Sequence, residues 1–187
     1  MARQVIQPNP VTLPVDPEYP GPKETGWTKR TIDSLATEIA EKLGYQPGQD
    51  LEPLVERLNG RVVIGPVDAT GSTGFLKVEG DGSFLIALSP LPGENRNRFT
   101  IAHELGHYFL HAKVGRQRLY ATRQAGSRAE WEANWFAGAF LMPAGPFLAA
   151  WNSHNGRAGY LISRFRVSGG AIQIRADTLR EMGRLDA

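Results

Sequence analysis

Pro8, Pro10, Pro14, Pro17, Pro20 and Pro22 deny residues 1–26 a regular hydrogen-bonded ladder. They favour an extended, polyproline-like course. Regular structure is therefore confined to the chain from about residue 27 onward. The first 26 residues read as a disordered or surface-draped arm, or as a peptide lying on the protein's own groove or on a partner. The 187-residue chain still suffices for one compact domain with its own core. It contains no cysteine, which excludes a disulfide framework, a Cys-ligated metal and a thiol nucleophile. That composition fits a reducing, cytoplasmic compartment. No run approaches the ~18 apolar residues of a membrane span, and Met1 to Pro10 lacks the apolar stretch of a secretion signal. A formal net charge of +2 predicts no strong nucleic-acid affinity over the whole surface.

Beyond the arm, hydrophobic spacing sets the elements. Ile32, Leu35, Ile39 and Leu43 recur at helical spacing, so a helix is expected from Thr28 to Leu43, stopped by Gly44. A short helix should follow Asp50 as its N-cap, with Leu51, Leu54, Val55 and Leu58 inward. Arg61 to Ile64 reads as a strand. Gly74 to Glu79 and Ser83 to Leu88 flank Gly80-Asp81-Gly82 and suggest an antiparallel hairpin. Helices should then run from Glu94 to His111 and from Arg128 to Leu141, the latter stopped by Pro143. Two short helices from Ala158 break near Ser168-Gly169-Gly170. The order of helices, small sheet and helices predicts an α+β fold, with a small antiparallel sheet packed on helices. The expected organisation is an arm at 1–26, a core domain at 27–152 and a C-terminal helical subdomain at 153–187.

His103-Glu104-Leu105-Gly106-His107 carries the chemistry. Two histidines at i and i+4 share one helix face, so both imidazoles can reach one metal ion. Glu104 follows the first and can approach a water on that metal, the arrangement of a general base beside two nitrogen ligands. Gly106 costs roughly 1 kcal/mol in helix propensity, which makes sense if another element packs closely there. A catalytic zinc site needs a third protein ligand. His111 is a poor choice, because it stands roughly 12 Å along the helix axis from His103. Leu110 and Lys113 stand where a longer motif would place a glycine and a third histidine. Glu130 is the better source. It shares a helix face with Asn134, which can support a ligating histidine through its other ring nitrogen. Glu132 points about 200° away from Glu130 and reads as a solvated or loop-pairing carboxylate.

The stretch Arg98 to His107, together with Glu130, Glu132, Ala133, Asn134, Phe136, Ala137, Leu141, Met142 and Pro143, resembles the signatures of the ImmA/IrrE family of bacterial and phage metallopeptidases. Phe165, Val167, Ser168, Ala171 and Arg175 are similar to that family's small helical tail, which is helix-turn-helix-like. The resemblance implies a gluzincin-like, zincin-type core. It implies a Zn²⁺ site of His103, His107 and Glu130, with Glu104 as general base. It also implies a protein partner or substrate, a helix-turn-helix regulator encoded nearby, in phage induction, stress responses or toxin–antitoxin pairs.

Further expectations follow from the residues. An oxyanion donor is expected among Tyr108, Tyr120, Arg123 and His154. Ser83 to Leu88, with Phe84, Ile86 and Leu88, is the candidate edge strand for an extended substrate, or else a core strand. Lys113, Arg116, Arg118, Arg123 and Arg128 either rim the cleft or form a solvated loop. Three readings compete: a zinc endopeptidase acting on a regulatory protein, a non-proteolytic partner of a toxin–antitoxin or repressor/anti-repressor pair, and a DNA-binding module using the C-terminal helices. Acidic Asp177 and Glu181 interrupt the arginines of that last segment. Direct nucleic-acid binding is therefore not expected.

Overall fold

The computed structural model describes residues 18–65, 74–90, 93–122 and 126–186. Among these, α1 (Lys29–Lys42) starts at Thr28, whose side chain accepts the Thr31 N–H. Its buried stripe is Ile32, Asp33, Ala36 and Ala40. α2 (Glu52–Arg57) has Leu51, not Asp50, at its N-cap. Asp50 is drawn off by the Arg166 guanidinium at 2.6 Å, and Pro53 sets the first turn instead. β1 (Gly60–Ile64), β2 (Gly74–Val78) and β3 (Phe84–Leu88) follow, and then α3 (Glu94–Gly106). β4 (Leu119–Thr122) precedes α4 (Arg128–Leu141), α5 (Ala144–Ser153), α6 (Ala158–Phe165) and α7 (Gly169–Glu181).

The fold is α+β, and the sheet is mixed rather than purely antiparallel. Strand order is β1-β3-β2-β4. β2 and β3 form the antiparallel hairpin, held at its turn by the Asp81 carboxylate, which accepts from the Ser83 N–H and hydroxyl. β1 pairs parallel to β3, from Gly60 opposite Phe84 to Ile64 opposite Leu88. β3 therefore lies inside the sheet, and the reading of Phe84, Ile86 and Leu88 as a substrate edge is corrected. All three are buried in the core, and β1 and β2 occupy both hydrogen-bonding sides of their strand. The outer strands are β1 and β4.

Two elements escaped the sequence reading. β4 is four residues long with only Leu119 and Ala121 inward. α5 begins directly after Pro143, the residue that stops α4. The helix expected to run to His111 is also not uniform. It is α-helical to Gly106 and then opens into a π-turn over His107–His111, closed by the Ala112 N–H on the His107 carbonyl at 2.9 Å.

Helix α3 lies between the sheet and α4, and α4 packs in turn against α1. Leu161, Phe165, Ile172 and Leu179 of α6 and α7 join the same cluster of buried residues as Ile32, Leu76, Leu105 and Phe140. Gly106 sits at the tightest point of the α3–α4 contact. A Cβ there would meet the Ala133 Cα at 3.0 Å and its carbonyl oxygen at 3.1 Å, tighter than ordinary packing. Gly106→Ala gains helix propensity yet should destabilise the fold by about 1–3 kcal/mol. Urea unfolding checks this; an equal or higher midpoint would contradict it.

Candidate metal centre

His103 on α3, His107 at the start of the π-turn that continues it, and a carboxylate in the first turn of α4 meet at one point because α3 and α4 pack so closely. Ser127 caps α4, its hydroxyl accepting the Glu130 N–H at 3.3 Å. That cap places Glu130 in the first turn, facing α3. His103 Nε2 and His107 Nε2 are 3.2 Å apart. Glu130 Oε2 lies 3.3 Å from the first and Oε1 3.1 Å from the second. These are the separations a tetrahedral zinc requires, since bonds of ~2.0–2.1 Å set its donors roughly 3.3 Å apart. Glu130 Oε1 is buried and accepts no hydrogen bond, although a ring nitrogen stands beside it. A nitrogen lone pair and a carboxylate oxygen facing each other fit a shared cation. Among the described residues these three side chains form the group able to hold a metal.

Burial opposes ionisation of Glu130, but the adjacent His103 and His107 outweigh it and bring its pKa down to about 2. The carboxylate is thus anionic at neutral pH, as ligation needs. Asn134 Oδ1 stands 3.0 Å from His103 Nδ1. As an acceptor for a proton on that ring nitrogen it would leave Nε2 free for a cation. Glu104 is 1% exposed. Backbone closes on it, because a Cβ on Gly74 would lie 3.7 Å from Glu104 Oε1 and collide with Thr100 and the Ala87 carbonyl.

Glu132 is fully buried rather than solvated, and the loop pairing expected of it is present, with the Thr25 and Gly26 N–H groups donating to its carboxylate. Its carboxylate lies 3.2 Å from His111 Nε2, and His111 Nδ1 lies 2.9 Å from His107 Nδ1. The π-turn brings the His111 ring under His107 rather than toward the metal point. Burial, then the neighbouring His107, lowers the His111 pKa to about 4, so its ring is neutral. Burial also works against charge on Glu132, but the Thr25 N–H, His111 and Arg128 outweigh it and hold its carboxyl below the usual range. The sequence signal was present: a histidine one further turn along the ligand face, and a second glutamate two residues after Glu130.

The arm reaches the same place. Residues 18–26 lie along the body, and residues 1–17 fall outside the described residues. Glu18 pairs with Arg118, the Pro20 carbonyl accepts the Tyr120 N–H at 3.1 Å, and Thr25 and Gly26 donate to Glu132. Arg128 bonds the Trp27 carbonyl and stacks on Trp135. Arg118 and Arg128 of the basic run thus tether the arm, Lys113 and Arg116 stay exposed, and Arg123 lies outside the described residues. Of the remaining oxyanion candidates, Tyr108 is a core residue against Phe84. His154 stacks on Tyr160 and lies 3.2 Å from the Ala150 carbonyl. Tyr120 sits on β4 beside Phe75.

An α+β domain that aims two imidazoles and a carboxylate at one point, with a second glutamate beside them, is a metallopeptidase-like domain. The family model described as Peptidase_M78, IrrE N-terminal-like domain, matches residues 55–177, and the chain belongs to that family. This is the ImmA/IrrE type that its two motifs resemble. No curated protein matches the chain. A solved structure, a Mycobacterium tuberculosis transcriptional regulator, is similar in fold with a TM-score of 0.62 at 21% identity. The match covers 81% of this chain and 47% of that one, so this chain spans about half the length of the regulator.

Proposed function

We propose that the protein is a zinc-dependent endopeptidase with a zincin-like core, hydrolysing a peptide bond in a regulatory protein, a helix-turn-helix transcriptional repressor in the cytoplasm. The observation that carries this reading is the 3.1–3.3 Å triangle of His103, His107 and Glu130 donors with Glu104 next in sequence to the first ligand. His103, His107 and Glu130 would hold a zinc ion, which would supply Lewis acidity and a water of pKa lowered toward ~7. Glu104 would take the proton as the water oxygen adds to the scissile carbonyl carbon and would return it to the amine as the C–N bond breaks. Asn134 keeps His103 in the ligating tautomer. The regulator substrate is supported by the family and by a fold neighbour that is itself a transcriptional regulator.

The helix-turn-helix-like tail is read as packing structure. Arg175 is buried on Asp33, while Arg166 is spent on Asp50 and Glu94. Among the described residues no helix is long and apolar enough to cross a membrane.

The test has two parts. Purified protein should carry close to one zinc per chain, lost in His103→Ala and in His107→Ala. Glu130→Gln should weaken binding more than Glu132→Gln. Elemental analysis showing full zinc in both histidine variants rejects the site, and the reverse carboxylate order rejects the choice of ligand. Incubation with a helix-turn-helix repressor found encoded next to this chain should give two fragments by mass spectrometry, and a repressor left intact by the zinc-loaded protein rejects it as the substrate.

A further inference from the structure

We propose that His111 and Glu132 are positioning residues for His107, and that the arm at Thr25 and Gly26 is the outer end of the same hydrogen-bonded chain. This rests on reading His103, His107 and Glu130 as a metal centre. Because His107 Nε2 faces the other two donors, Nδ1 carries the ring proton. That proton points at His111 Nδ1, 2.9 Å away, which must accept it. The His111 proton is therefore on Nε2, 3.2 Å from Glu132 Oε2, and is donated to the carboxylate. Glu132 also accepts the Thr25 N–H at 2.8 Å, the Gly26 N–H at 3.1 Å and Arg128 Nε at 3.3 Å.

One arrangement of protons satisfies every link. Moving either ring's proton would set two N–H groups or two lone pairs against each other. The His111 and Glu132 side chains are fully buried, so no solvent molecule is at hand to replace a lost partner. The outcome is a fixed orientation for His107 and a ring nitrogen made a better donor by the carboxylate beyond it. Residues 25 and 26 locate that carboxylate, so docking of the arm and metal affinity are linked. Linkage is reciprocal: bound zinc should in turn hold the arm down.

The experiment measures zinc affinity of the full chain by competition with a chromophoric chelator, beside the thermal midpoint of the metal-free protein. His111→Leu should bind zinc ~10–100-fold more weakly. His111→Gln still offers one acceptor and one donor and should retain more of the affinity. Thr25→Pro deletes the Thr25 N–H and hydroxyl from the outer end and should cost roughly 2–10-fold. In the parent, zinc should slow trypsin cleavage after the exposed Lys23, and this protection should be lost in Glu132→Gln. The proposal is overturned by His111→Leu binding within about twofold of the parent. It is equally overturned by Leu and Gln variants of equal affinity, or by affinities that merely follow the metal-free midpoints. A parent that binds no zinc removes the metal centre itself, whereas a zinc-binding parent with indifferent variants removes only the relay.

Discussion

Glu104→Gln should leave zinc content and fold intact while hydrolysis falls by ~10²–10⁴-fold. The substitution preserves side-chain length and helix propensity, so α3 and its packing on the sheet and α4 are undisturbed. What disappears is the carboxylate that accepts a proton. Glu104 stands outside the donor triangle, so His103, His107 and Glu130 keep their separations. The parent and variant are compared on the repressor substrate by fragment appearance, with metal measured in the same preparations. Equal rates with equal metal would remove Glu104 from catalysis. A variant that still relieves repression in cells, with no fragments from either protein, would sink the peptidase and favour the non-proteolytic partner reading. Loss of zinc in the variant would place Glu104 among the ligands.

Much of this centre was legible because helical geometry converts sequence spacing directly into direction. His103 and His107 at i, i+4 and Glu130 and Asn134 at i, i+4 each define a face. Gly106 announced the close α3–α4 approach that brings those faces together, and the Cβ clash at Ala133 is its cause. What stayed hidden depends on pairings that spacing does not encode. β1 lies parallel to β3 with β2 between them in sequence, so its partner cannot be read from a local turn. β4 is too short for its alternation to stand out. The π-turn shifts His111 under His107, and only tertiary contact reveals that Glu132, fully buried, faces it. Residues 18–26, the described part of the arm, form neither helix nor strand, as Pro20 and Pro22 lead one to expect. Those prolines gave no sign that the arm's backbone amides at Thr25 and Gly26 close on that carboxylate.

Asp33→Ala should destabilise the protein by about 3–5 kcal/mol, the usual cost of stranding one member of a buried ion pair. Asp33 on α1 is 2% exposed and Arg175 on α7 is 3% exposed. Their charged groups are in direct contact. Arg175 Nε also donates to the Met142 carbonyl at the end of α4, at 2.9 Å. One guanidinium therefore fastens α7 to both α1 and α4. Burial pulls the Arg175 pKa down and Asp33 opposes that pull. Without the carboxylate, a buried cation keeps only the Met142 carbonyl. Arg184, 3.4 Å from Asp33 and partly exposed, loses a partner but can turn to water, so its share is small. Against a typical total stability of ~5–15 kcal/mol, the loss should shift the urea midpoint severely. Asp33→Leu combined with Arg175→Met should recover most of it, since an apolar pair of similar volume needs no compensating charge. An Asp33→Ala midpoint equivalent to within ~1 kcal/mol of the parent would show that the pair contributes like a surface bridge. A double variant as unstable as the single one would mean that Arg175 acts chiefly through the Met142 carbonyl.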